Sequence, residues 1–107
     1  MSVINQLTQV IQDRKKNPSD ESYTSRLFAG GVDSIGAKIR EEAEETVEAA
    51  AEPGDAGREH LIREAADVTY HLLVMLAHRD ADFSDVENEL ARRFGIGGLE
   101  EKRSRGQ

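Results

Sequence analysis

The chain has 107 residues, of which 37% are apolar, 5% aromatic and 33% charged, which suits one helical domain with a modest core better than a sandwich or a disordered tail. Its 21 acidic residues against 14 Lys and Arg give a formal charge of -7, which argues against nucleic acid or an anionic membrane surface as a partner. With no cysteine there is no disulfide framework and no thiolate chemistry. No apolar run approaches the roughly 20 residues that span a bilayer.

The start, MSVINQLTQVIQDRKK, lacks the basic-then-apolar order of a secretory signal, so a cytoplasmic protein is expected. Val3, Ile4, Leu7, Val10 and Ile11 recur at helical spacing and mark a first amphipathic helix, which ends near KKNPSD because Pro18 disfavours helix at Asn17. The hydroxyl-rich stretch SDESYTSRLFAGGVD, with its paired glycines, reads as a loop holding a short helical turn around Thr24 to Phe28. Asp33 or Ser34 is then the cap of a second helix, running from Ser34 to Ala51 and ended by EPGD. A third helix is expected from Ala56 to Arg79. A fourth starts after Ser84 as N-cap, with Glu87 at the capping-box position, and ends near Arg93. The expected fold is therefore all-α, a four-helix bundle-like domain over residues 1–95, with a partly ordered, glycine-interrupted tail over 96–107.

Placing the acids on these helices is the informative step. Apolar residues cover well over half of the third helix and leave a narrow arc holding His60, Glu64, Asp67, His71 and His78. Glu64 and Asp67 are three residues apart and project from one face. On the second helix Ile35, Ile39, Ala43, Val47 and Ala50 form the apolar stripe, and Lys38, Glu42 and Glu45 lie along its edge with Glu41 just behind. The same three-residue step thus occurs on consecutive helices, Glu42 with Glu45 and, after 18 residues, Glu64 with Asp67. An antiparallel hairpin would bring the two pairs face to face, and four converging carboxylates repel strongly unless a cation sits between them. Oxygen ligands without thiolates point to Mg²⁺, or Mn²⁺ in its place. EEAEE alone would read as a solvated face, whereas Glu64 and Asp67 sit on a helix too apolar for that reading to suffice. His71 is read as a core or hydrogen-bonding residue rather than a metal ligand, and His60 and His78 as polar edge residues. Leu72, Leu73, Met75 and Leu76, with Ile62 and Ala66 facing the other way, give the third helix more apolar surface than three short companions cover. A homodimer centred on that helix is expected.

EEAEE at Glu41 to Glu45 and EAAD at Glu64 to Asp67 resemble the EExxE and ExxD motifs of the all-α NTP pyrophosphohydrolases, the MazG-type superfamily. The order DRKKNP, SYTSRLFAGGVDSIGAKIREEAEE, EAADVTYHLLVMLAHR and FSDVENELARRFG is similar, over nearly the whole chain, to the phosphoribosyl-ATP pyrophosphohydrolase family of histidine biosynthesis. SYT, the Lys38 that precedes the paired Glu41 and Glu42, and DVTYHLLV discriminate this family from the wider superfamily. Arg40 and Thr69 depart mildly from its pattern, and neither touches an acidic position.

The resemblance implies hydrolysis of 1-(5-phosphoribosyl)-ATP to 1-(5-phosphoribosyl)-AMP and pyrophosphate in an all-helical homodimer. It implies Mg²⁺ on Glu42, Glu45, Glu64 and Asp67, with Glu41 positioning or deprotonating the water and Lys38 reaching a phosphate. Arg14, Lys15, Tyr23, Thr24 and Arg26, with Lys38 and His71, form the expected substrate-binding set. A house-cleaning pyrophosphohydrolase of ordinary or damaged nucleoside triphosphates would carry the same metal site. A non-enzymatic acidic helical dimerisation module would carry none, and no property of it would depend on divalent ions.

Overall fold

A computed structural model describes residues 2–96, which form four helices and, among them, no strand. The first, α1 (Val3–Lys16), begins where the Ser2 hydroxyl accepts the Asn5 backbone N–H at 3.1 Å, satisfying one of the donors a helix start leaves free. It ends at Lys16 with Arg14, Lys15 and Lys16 in its last turn, where cations suit the helix dipole.

The expected loop after Pro18 is shorter than the sequence suggests. Ser22 accepts the Ser25 N–H at 3.1 Å and starts α2 (Tyr23–Ala50), whose first eight residues are helical before Gly31 breaks the run. The break is why paired glycines are needed here, though not as a loop. Gly31 has φ 67° and ψ -155°, a region essentially confined to glycine, so the chain turns sharply between two helical segments. The cap expected at Asp33 or Ser34 is replaced by this kink. Burial holds the short first segment in place: Leu27 joins the core with Phe28 beside it, and the buried Ser25 hydroxyl accepts from the Ser19 N–H at 3.1 Å and donates to the Arg14 carbonyl at 3.3 Å.

The third helix, α3 (Gly54–His78), follows a short turn, and Gly57 in its first turn lies against the chain that precedes it. A Cβ there would sit 2.2 Å from the Glu52 carbonyl oxygen. α2 and α3 make the most extensive contact in the molecule, and α1 lies across both. The core forms where these three meet: Ile11, Leu27, Ile35, Leu73, Val74 and Ala77 are buried, with Ile39, Tyr70, Met75 and Phe83 packed around them. Only the first half of the expected α2 stripe is covered, since Val47 is 67% exposed. On α3, Ile62 and Leu72 are likewise exposed. A radius of gyration of 16.7 Å, against about 13 Å for a compact 100-residue domain, fits helices that extend beyond their shared core.

The fourth helix, α4 (Phe83–Phe94), starts two residues earlier than the sequence implies. Asp82 is its N-cap, and the Asp82 N–H donates to Asp85 Oδ2 at 2.9 Å, so the capping box joins Asp82 and Asp85 in place of Ser84 and Glu87. Ser84 instead donates its hydroxyl to Asp82 Oδ2. Gly95, in the left-handed region at φ 72°, ends the helix. The tail expected over 96–107 lies, beyond Ile96, outside the described residues.

Candidate active site

The kink at Gly31 assembles the site. In an unbroken helix Tyr23 and Lys38 would stand roughly 22 Å apart, at 1.5 Å rise per residue. Here Tyr23, and then Glu41, hold the Lys38 ammonium above its ordinary value. Burial pushes the Tyr23 hydroxyl upward, opposed by Lys38 and reinforced by Glu42, Tyr70 and Glu41. One side of α2 thus carries Lys38, Glu41 and Glu42 beside a tyrosine from its own first turn. Lys38 Nζ stands 3.7 Å from Glu41 Oε1, a loose pair with both side chains in contact with solvent.

α3 supplies the facing groups. His71 is buried, and its Nδ1 lies 3.0 Å from the Asp67 carbonyl, which only accepts, so Nδ1 carries a proton. Nε2 then accepts from the Tyr23 hydroxyl at 2.9 Å. Nδ1 also lies 2.5 Å from Glu42 Oε1, a close charge contact, although that buried oxygen makes no hydrogen bond. Tyr70 stacks on Tyr23 with ring centroids 6.4 Å apart, meets His71 edge-on at 4.8 Å, and its hydroxyl contacts that of Thr24. Tyr23, Thr24 and His71 from the expected substrate-binding set therefore come together with Lys38, Glu41 and Glu42.

A second acidic contact lies further along the two helices. Glu64 Oε1 is buried without a hydrogen-bond partner, and the Glu45 carboxyl is held above its ordinary value, first by sharing a hydrogen bond with Glu64 and then by partial loss of water. The rise is the direction expected of two acids brought together with no cation between them, since each disfavours the other's charge. Glu64 Oε2 is 3.2 Å from His60 Nε2, and His60 Nδ1 is 3.0 Å and 3.1 Å from the two oxygens of Glu52. Glu52 is the first cause holding the His60 ring above its ordinary value. Asp67 is exposed on the turn after Glu64. Among the described residues, no three carboxylate or imidazole groups stand close enough to enclose a metal ion as placed.

The basic residues at the end of α1 and in the first turn of α2 are not gathered into this cluster. Lys15 Nζ donates to the Ala77 carbonyl at 2.7 Å, the His78 carbonyl at 3.4 Å and Asp80 Oδ1 at 2.7 Å, closing the end of α3. Arg14 pairs with its neighbour Asp13, and Arg26 donates to the Asp20 carbonyl at 3.0 Å, both at the surface. An open cavity of about 800 Å³ between α1 and the end of α3 is lined by Gln9, Gln12, Lys15, Lys16 and Asp80 among others. It holds none of the paired acids. Of its two lysines, Lys15 is already satisfied by the end of α3, and the paired acids lie instead on α2 and α3. Sequence reasoning missed Ser25, which pins the turn, and the Glu52–His60 contact, whose partners lie on opposite sides of Pro53.

Residues 4–94 match the family model described as phosphoribosyl-ATP pyrophosphohydrolase. The chain belongs to the phosphoribosyl-ATP pyrophosphohydrolase family. Relatives named phosphoribosyl-ATP pyrophosphatase agree with that placement. One from Rhodopirellula baltica is 48% identical over 102 residues, covering 95% of this chain and 85% of its own. One from Paracoccus denitrificans is 49% identical over 102 residues, covering 95% and 92%. One from Methylococcus capsulatus is 45% identical over 105 residues, covering 98% and 97%. For this family member the match takes in α1 to α4 and every acidic position considered above.

Proposed function

We infer that this chain hydrolyses 1-(5-phosphoribosyl)-ATP to 1-(5-phosphoribosyl)-AMP and pyrophosphate, the second step of histidine biosynthesis, as a Mg²⁺-dependent cytoplasmic homodimer. The observation that carries the chemistry is a pair of buried carboxylate oxygens, Glu42 Oε1 and Glu64 Oε1, without a well-formed hydrogen bond on two packed helices, Glu42 meeting only the His71 ring and Glu64 crowded by Glu45. Buried carboxylates this poorly satisfied are destabilising, and a hard divalent cation would relieve both.

Glu42, Glu45, Glu64 and Asp67 would hold the ion, Mg²⁺ or in its place Mn²⁺, in a central acidic helical hairpin. Glu45 and Asp67, which are less buried than Glu42, are free to swing inward. When bound, the ion would screen phosphate charge and polarise the attacking water. Lys38 neutralises a phosphate from the edge of α2. Glu41, half free of Lys38 at 3.7 Å, orients the water and takes its proton as the water oxygen bonds to phosphorus and the bond between the α- and β-phosphates breaks, releasing pyrophosphate. Tyr23 and Thr24 present hydroxyls, and His71 fixes the Tyr23 hydroxyl. Arg14 and Arg26, whose present contacts are exposed and exchangeable, would turn from those contacts to meet the phosphate of the second ribose. Lys15 would join them only by giving up its contacts at the end of α3.

The homodimer reading is supported by apolar surface that this chain leaves uncovered: Val47, Ile62 and Leu72 on α2 and α3, and Leu90 and Phe94 on α4. No described helix is long and apolar enough to cross a membrane. Pyrophosphate release from phosphoribosyl-ATP, compared with a panel of NTPs and dNTPs with and without Mg²⁺, tests the function. Preference for phosphoribosyl-ATP is expected. Faster hydrolysis of ATP would replace this reading with a general nucleotide pyrophosphohydrolase, and no divalent-ion dependence at all would favour a plain dimerisation module.

A further inference from the structure

Besides the hydrogen bond it shares with Glu45, Glu64 is held by a single contact to an imidazole. Oε2 meets His60 Nε2 at 3.2 Å while Oε1 points into the protein with no hydrogen-bond partner. The imidazole that grips it is itself gripped: its Nδ1 bridges both oxygens of Glu52 at 3.0 Å and 3.1 Å, across the turn that joins α2 to α3. Three side chains from two sides of Pro53 are thereby linked in a row ending at a buried carboxylate. Without the row, Glu64 can rotate either oxygen outward to water. With it, the rotation is blocked and Oε1 is the atom presented to the interior.

We propose that Glu52 and His60 act as a positioning pair for the acidic site, orienting Glu64 so that Oε1 is the oxygen offered to the divalent cation. The proposal rests on the metal-dependent reading above. Carboxylates that bind metals are themselves held by hydrogen bonds, and loss of such support costs about 10- to 100-fold in metal affinity or activity. An imidazolium by itself next to a metal site repels the metal. Glu52 carries the opposite charge on the far side of the ring, so the pair as a whole is neutral toward the site. Orientation is what remains. Glu52 is otherwise an exposed residue beyond the end of α2, with no other hydrogen bond from its side chain among the described residues.

Calorimetric titration of Mg²⁺ and of Mn²⁺ into the metal-free full chain is the test, run on the wild type, His60→Ala, Glu52→Ala and the double variant. The expected result is ion affinity reduced about 10- to 100-fold in each single variant, with the double variant no worse than His60→Ala because the two residues act in series. At saturating Mg²⁺ the KM for phosphoribosyl-ATP should stay near the wild-type value. A wild type that binds neither ion would overturn the metal site and this proposal together. Normal ion binding by the wild type with unchanged affinity in His60→Ala, even at a lower melting temperature, would overturn the positioning role alone. So would tighter binding in that variant, which would make His60 a competitor of the ion. Should His60→Ala fail to fold, Glu52→Ala decides by itself, with unchanged affinity counting against the proposal.

Discussion

Where α2 meets α3, the polar groups removed from water include Glu42 and His71, at 7% and 4% exposure, and two carboxylate oxygens have no hydrogen bond. At α4 the reverse holds: none of its 12 residues is buried, and Leu90 and Phe94 face outward. A folded chain ordinarily avoids both, because each leaves free energy unrecovered. The α2–α3 region lacks something charged and the α4 region something apolar. The first deficit fits an ion and a phosphate substrate, the second another protein surface. The two are separable by mutation.

The strongest way to break the first half of that comparison is Glu64→Gln. Losing one ligand should remove several kcal/mol of charge stabilisation, a fall of about 10³-fold in kcat at 1.36 kcal/mol per decade. The metal-free protein should melt no lower than the wild type, and Mg²⁺ should raise its melting temperature much less. Near wild-type turnover would sink the assignment of Glu64. Gly31→Ala comes next, since alanine at φ 67°, ψ -155° should cost about 1–3 kcal/mol. It should lower the melting temperature by several degrees, about 4–8 °C per kcal/mol at this size. It should also reduce kcat/KM for phosphoribosyl-ATP, because the kink brings Tyr23 to His71. A variant that melted at a lower temperature while retaining full kcat/KM would show that the kink serves the fold only.

The helices of α1, α3 and α4 were legible because their apolar residues repeat at helical spacing, and boundaries moved by at most two residues. The first segment of α2 was not. Leu27 and Phe28 are its main apolar residues, too few for a periodic signal, and Ser25 is buried because of what α1 offers it rather than any local pattern. Paired glycines announce a break without saying whether helix lies on both sides of it. In the site, a three-residue step made Glu42 with Glu45 and Glu64 with Asp67 readable as same-face pairs, of which the fold brings Glu45 to Glu64 and leaves Asp67 exposed. His60 was not, because its partner Glu52 lies before the turn, outside any single-helix count. Lys15 likewise meets residues 62 to 65 positions away, contacts that only the tertiary fold creates.

The second half of the comparison is tested on α4. In a monomer, Leu90→Ser and Phe94→Ser would change stability by no more than about 0.5 kcal/mol, as substitutions at exposed positions generally do. If a second copy covers these residues, Phe94→Ser should instead shift a dimer toward monomer and make the melting temperature depend on concentration. Light scattering at micromolar concentration reads both states. A monomeric wild type would leave the apolar face unexplained by self-association.

The smallest effect is expected at the end of α3, where the unusual backbone and an ion pair meet in Asp80. Its φ of 59° is in the left-handed region, which asparagine and aspartate tolerate better than most residues, so Asp80→Asn leaves the backbone nearly unaffected. What it removes is the charge that Lys15 meets at 2.7 Å. The Asp80 carboxyl is held below its ordinary 3.8, first by the Lys15 hydrogen bond and then by its charge. A carboxyl with a folded pKa below its unfolded one stabilises the native state above the unfolded value and loses that contribution as pH falls through the folded one. The wild type should therefore melt slightly higher than Asp80→Asn near neutrality, and the difference should close as pH falls below 3.8. Asp80 is fully exposed, so added salt should shrink the difference as well. A gap that persisted unchanged in acid would mean that the two variants differ through the backbone or the helix end, and that the charge of Asp80 contributes nothing.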